Sequence, residues 1–173
     1  MGQYYSPVIL SDNKKEVLKT IYSHDFGNGL KLMEHSYLEN EFVATFESEI
    51  IDSPKRIVWA GDYADEENGE DYNLYNLADD APKLTKLNTS SMETNFLINH
   101  DKKLYVDKAK IKVGMFDLRI HPLPLLTCEG NGRGGGDYRG DSDLVGTWAR
   151  DNISCSKEKP EGFEELIFDL VEE

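Results

Sequence analysis

Cysteine is scarce: Cys128 and Cys155 are the only two in 173 residues. Two thiols are too few for a disulfide framework or a zinc site built from cysteine alone, and no secretory signal is read at the start of the chain. A reducing compartment is therefore expected. Long apolar runs are also missing. None approaches the roughly 18 residues that span a bilayer, so no membrane association is expected. Met1-Gly2-Gln3-Tyr4-Tyr5-Ser6 fits the spacing of an N-myristoylation signal, but no polybasic segment follows to supply the second anchor, and the match is read as coincidence. Positive charge is sparse too. Nineteen Lys and Arg stand against 33 Asp and Glu, a net charge of −14. Such a field repels phosphate backbones, and basic clusters such as Lys14-Lys15 and Lys102-Lys103 are too short to reverse it. Direct nucleic-acid binding is not expected.

What remains still makes a core. Hydrophobic residues are 39% of the chain and aromatics 10%, with Tyr, Phe, Ile and Val recurring throughout. Disordered chains combine high charge with few such residues, so a folded domain is expected, and the length suits one. There is no internal repeat.

Patterning predicts a strand over 3–10, a turn at Ser11-Asp12-Asn13 and a return strand over 17–22. A glycine-punctuated loop covers 24–29, and Leu30, Leu32, Met33 and Tyr37 suggest a short helical turn. Asn40 is placed to cap a helix whose Phe42, Val43, Phe46 and Ile50 share one face. A short strand follows at 56–60. Apolar runs at 96–98 and 103–106 flank the polar residues 99–102 as a hairpin. Pro122 and Pro124 place 118–127 at a sheet edge or in an extended segment. The runs 144–149 and 153–156 flank Arg150-Asp151-Asn152 as another hairpin, and 163–171 reads as a final strand or a short helix. The expectation is an α+β fold: one compact domain over 1–173, mainly antiparallel sheet, with one or two short helices.

Residues 57–82 form an acidic arm. They hold Asp62, Asp65, Glu66, Glu67, Glu70, Asp71, Asp79 and Asp80 and no basic residue. Tyr63, Tyr72, Leu74, Tyr75 and Leu77 lie between the charges, so part of the arm is expected to pack or to meet a partner. Asp62, Asp65, Glu66, Glu67, Glu70 and Asp71 are the candidate partner-binding residues. A calcium loop of EF-hand type is excluded, because aligning Gly69 with the required glycine puts Ala64 and Tyr75 at positions that must be acidic.

A glycine-rich loop occupies 129–141. Gly130-Asn131-Gly132-Arg133-Gly134-Gly135 satisfies the G-x-G-x-x-G spacing of dinucleotide sites, yet Gly136-Asp137-Tyr138-Arg139 is a poor helix start, and no Gly-Lys-[Ser/Thr] follows for a P-loop. Its backbone amides still suit an anion, with Gly132, Arg133, Gly135 and Arg139 as candidate anion-binding residues. A plain surface loop is the blander reading. Arg139-Gly140-Asp141 spells an adhesion tripeptide, taken as coincidence.

The four histidines are His24, His35, His100 and His121. His24, Asp25 and His35, with Glu34 nearby, are the candidate divalent-metal ligands, although His-Asp pairs are also common in turns. For nucleophilic chemistry the conceivable pair is Cys128 with His121 or His24, set against the simpler reading of a buried thiol.

Met1-Gly2-Gln3-Tyr4-Tyr5, His24-Asp25, Gly29-Leu30-Lys31-Leu32-Met33-Glu34-His35-Ser36-Tyr37 and Ile57-Val58-Trp59-Ala60-Gly61-Asp62-Tyr63-Ala64-Asp65 together resemble a group of small proteins of bacteriophages and bacterial mobile elements. The likeness lies mostly in the N-terminal half. It implies a setting in the cytoplasm of a bacterial host and carries over no functional residues.

The sequence thus favours a binding protein over an enzyme: an acidic protein that engages a basic surface on a host protein, as an inhibitor of a nucleic-acid-handling or defence protein. The alternative is a small metal- or anion-binding enzyme using the histidines and the glycine-rich loop. The sequence leaves the cofactor, like the oligomeric state, open.

Overall fold

A computed structural model describes residues 3–85, 94–131, 135–140 and 142–171. Its centre is one mixed sheet of eight strands: β1 (Tyr5–Leu10), β2 (Val17–Thr20), β3 (Lys55–Gly61), β4 (Phe96–Asn99), β5 (Leu104–Asp107), β6 (Cys128–Glu129), β7 (Asn152–Ser156) and β8 (Glu164–Glu165). The spatial order is β2-β1-β3-β7-β4-β5-β8, and β6 also pairs with β3. All pairs are antiparallel except β3 with β6 and β5 with β8. Three short helices complete the α+β fold: α1 (Glu41–Ser48), α2 (Leu74–Ala78) and α3 (Pro122–Thr127).

Strands β1 and β3 are apolar on both faces because both faces are covered. Tyr5, Ile9, Ile57 and Trp59 point into the main core with Phe42 and Phe46 of α1 and Leu123, Leu125 and Leu126 of α3. The alternate residues Val8, Leu10, Val58 and Ala60 form a smaller core beneath Leu74 and Ala78 of α2. Asn40 caps α1 as expected, its side chain accepting from the N–H groups of Phe42 and Val43.

Two local expectations are corrected, at 122–127 and 144–149, and two further segments gain detail. Residues 122–127 are helical rather than extended, for the two prolines fall in the first turn, where N–H groups have no partner within the helix. His121 caps that helix, its Nδ1 accepting from Leu123 N–H at 3.1 Å. Helix α2 lies inside the acidic arm, started by Asn73, whose side chain accepts from Asn76 N–H at 3.0 Å. Residues 144–149 are turns rather than a hairpin arm, and β7 pairs with β4 and β3 instead. In the 163–171 segment the strand is only Glu164–Glu165.

The two rims of the sheet are short. On one, β2 carries a register shift opposite Ile9/Leu10, and its end is covered where Thr20 N–H donates to Pro82 O and Leu84 N–H donates to Thr20 O. On the other stands two-residue β8. Among the described residues no helix is long and apolar enough to cross a membrane.

Candidate functional site

The acidic arm leaves the sheet at Gly61 and is fastened at once. Asp62 N–H donates to Tyr4 O and Asp62 Oδ1 accepts from Tyr4 N–H, both at 2.9 Å. Asn73, besides capping α2, donates through Nδ2 to Asp62 O at 3.1 Å and Ala64 O at 3.0 Å. Between these anchors the chain turns back on itself, with Glu67 N–H donating to Tyr72 O and Gly69 at φ +81°. A further anchor is ionic. Glu67 takes both Nη atoms of Arg150 at 2.8 Å, while Glu129 takes Nε at 2.7 Å and Nη2 at 2.8 Å. Two carboxylates thus grip one guanidinium in paired forks, the strongest ion-pair geometry available to arginine. The hydrogen bonds that Arg150 gives to Glu129, and then those to Glu67, hold its guanidinium protonated to a pH above the ordinary range.

This divides the six expected partner-binding residues. Asp62 and Glu67 serve the scaffold, one on the Tyr4 backbone and one on Arg150. Asp65, Glu66, Glu70 and Asp71 are exposed. The arm is a pinned turn that faces four carboxylates outward.

Tyrosines surround the arm, and two of them come from remote sequence. Tyr4 is 44% exposed, Tyr22 36% and Tyr63 55%. Tyr75, on α2, is half-buried. Tyr4 precedes β1 and Tyr22 follows β2, so sequence spacing gave no sign that they meet the arm. Tyr22 Oη lies 2.8 Å from His24 Nδ1, with the two rings 4.9 Å apart. Burial, Asp62 and Asp79, with Tyr22 and Tyr4 behind them, raise the Tyr75 hydroxyl above its usual value.

The metal expectation does not survive the geometry. His35 is fully buried. Its Nε2 accepts from Trp59 Nε1–H at 2.9 Å and its Nδ1 donates to Gly29 O at 3.1 Å, so neither nitrogen is free for a cation. His24 and Asp25 sit in an exposed 3-10 turn, Ser23–Phe26. Among the described residues no group of three or more His, Cys, Asp or Glu side chains could hold a metal. The other histidines are structural as well. His100 Nε2 is 2.7 Å from Ser154 Oγ, and its ring packs edge-on against Phe163. His121 Nε2 donates to Glu47 Oε1 at 2.8 Å, and Lys108 Nζ meets Glu47 Oε2 at 2.8 Å, a buried cluster that ties α1 to α3 and to the turn after β5. Burial pushes His121 down, and its Nδ1, accepting an N–H, carries no proton.

Of the anion-binding residues, Gly132 and Arg133 lie outside the described residues. Gly135 lines a shallow cleft of about 190 Å³ with Gln3, Asn131, Gly136, Tyr138 and Ser142. Arg139 is exposed. Among the described residues no helix follows the loop: 135–140 are turn, bend and irregular backbone, which removes the dinucleotide reading. The loop instead packs inward, with Asp137 Oδ1 accepting from Met33 N–H at 2.9 Å. Gly136 has φ +56°, and a Cβ there would sit 2.8 Å from the Tyr5 ring. Close packing on Tyr5 therefore accounts for that glycine without a ligand.

No protein-family model matches the chain, and no curated protein or solved structure is significantly similar to it.

The chemistry must then be read from the side chains alone. The described lining of the cleft contains no histidine and no charged side chain. The convergence of His24, His35 and the glycine loop that an enzyme would need is not found there. Cys128 is buried, its Sγ donates to Leu125 O at 3.3 Å, and burial pushes its thiol up to about 12, an inert state. The arm, for its part, presents exposed acid and tyrosine on one pinned turn.

Proposed function

We propose that this chain is a protein-binding domain that docks a basic surface through its acidic arm. The observation that carries this reading is the Arg150 clamp. It fixes the turn bearing Asp65, Glu66, Glu70 and Asp71, so the carboxylates are positioned before the partner arrives and little ordering entropy is lost on docking. The net charge of −14 steers a basic partner toward the molecule at long range.

The partner we infer is a nucleic-acid-handling or defence protein of a bacterial host, and the role is inhibition by covering a surface that otherwise meets phosphate. Two things support this: the sign of the charge, and the resemblance of the N-terminal half to proteins of phages and mobile elements. The test is affinity capture from bacterial lysate with the tagged protein and with a variant carrying D65K, E66K, E70K and D71K. A stoichiometric partner lost on charge reversal, and displaced by nucleic acid, supports the reading. Capture of the same partner by the reversed variant overturns the assignment of this surface.

A further inference from the structure

Beside the arm, four separate segments bring tyrosine and carboxylate to one place. Tyr4 lies before β1 and exchanges two hydrogen bonds with Asp62, after β3. Asp62 O receives the Asn73 side chain, which begins α2 two residues before Tyr75. Helix α2 packs across β1 and β2, and β2 leads into Tyr22. Tyr4 and Tyr22 are exposed rings, Tyr75 is half-buried, and Asp62 and Asp79 both act on the Tyr75 hydroxyl.

Exposed large aromatics cost solubility, and tyrosine is among the residues enriched at the centres of protein interfaces. Ring faces beside carboxylates suit one side chain above others. A guanidinium is planar, stacks on an aromatic face and donates to a carboxylate through its edge, whereas an ammonium is a compact, strongly hydrated point charge. We propose that the Tyr4–Tyr22–Tyr75 face, with Asp62 and Asp79, receives an arginine side chain of the partner. This rests on the protein-binding reading and deepens it: the exposed acids of the arm steer the partner, and the tyrosine face selects arginine over lysine.

The probes are a hexa-arginine peptide and a hexa-lysine peptide, titrated calorimetrically at physiological ionic strength. The wild-type chain binds hexa-arginine at least five-fold more tightly than hexa-lysine. The Y4A/Y22A variant, altered at exposed positions that leave the core intact, loses that preference, and Y4F/Y22F retains it because the ring faces remain. Reversing Asp65, Glu66, Glu70 and Asp71 weakens both peptides by a similar factor and keeps the preference. Equal affinity for the two peptides in the wild type, no binding of either, or an arginine preference that persists in Y4A/Y22A overturns the arginine site. In each case the arm reading is still judged separately, by loss of the captured partner in the reversed variant.

Discussion

Trp59 donates its indole N–H to Nε2 of His35 across 2.9 Å, and both side chains are fully buried. With Nδ1–H given to Gly29 O, the imidazole is fixed as the neutral Nδ1–H form. Phe42 packs edge-on against both rings, at 4.9 Å from His35 and 5.9 Å from Trp59. A residue type usually searched for catalysis or metal is here a hydrogen-bonding element of the core.

That bond gives the fold an acid limit. Burial pushes His35 from 6.5 down to about 4. The unfolded chain takes up a proton below about 6.5 while the native state refuses it until about 4, so stability is full above that window and is lost as pH falls through it. His121 is depressed by burial and adds in the same direction. Urea denaturation at pH 7.5 and pH 4.5 is expected to differ by roughly 3 kcal/mol from His35 alone. H35Q, which keeps an acceptor for Trp59 but cannot titrate, flattens the dependence.

Arg150 is expected to be the most sensitive exposed-side position. R150M leaves Glu67 and Glu129, both partly buried, facing each other without a cation, at a cost of about 3 kcal/mol. R150K retains the charge but not the two forks and recovers only part of this. Limited proteolysis supplies the second readout: cleavage within 65–71 accelerates in both variants, because the turn loses its ionic anchor.

The Glu47 cluster should behave non-additively. Lys108 and Glu47 are each about one-tenth exposed, at 11% and 10%. K108M strands the carboxylate and E47Q strands the ammonium, each costing about 3 kcal/mol. The double variant E47Q/K108M removes both charges and is expected to cost less than the sum of the singles by 1 kcal/mol or so. Full additivity in urea melts would mean that the pair is not coupled.

At the tip of the segment that follows β5, Phe116 and Asp117 both have φ +58°. Leu118 N–H donates to Met115 O, and Gly114 N–H donates to Leu118 O. Two central residues at positive φ are the condition of a type I′ turn, whose preferred pair is Asn-Gly. Phe116 is also 82% exposed, so its ring contributes little to the core. F116N/D117G is therefore expected to raise the melting temperature by several degrees, equivalent to about 1–2 kcal/mol. No rise in a thermal scan would show that the turn is relaxed as it stands.

Sequence revealed those features whose physics is local. Asn40 before an apolar helical face, the polar turn between 96–98 and 103–106, and the apolar, β-branched runs of β1 and β3 each carry their own signal, and all of these elements form. Two elements were missed, each for its own reason. Pro122 and Pro124 break a helix interior but not its first turn, and pattern alone does not say which of these a proline occupies. Asn73 begins a helix only five residues long, shorter than the window over which periodicity speaks. The site was less legible. The acids of the arm could be named, but which of them face inward depends on Arg150, far along the chain. Likewise Tyr4 and Tyr22 join Tyr75 only because α2 lies across β1 and β2. Contacts between distant segments leave no spacing to read.

The brevity of the sheet's two rims carries a last consequence. A free strand edge is the commonest template for a foreign strand, whether a partner's peptide or another copy bound for aggregation. Here one rim is irregular and overlaid at Thr20 by the chain after α2, and the other is two residues long. Neither rim, among the described residues, offers a long regular backbone ladder. A docking partner of the kind proposed would then meet side chains rather than add a strand, and growth of fibrils from the native edges is disfavoured.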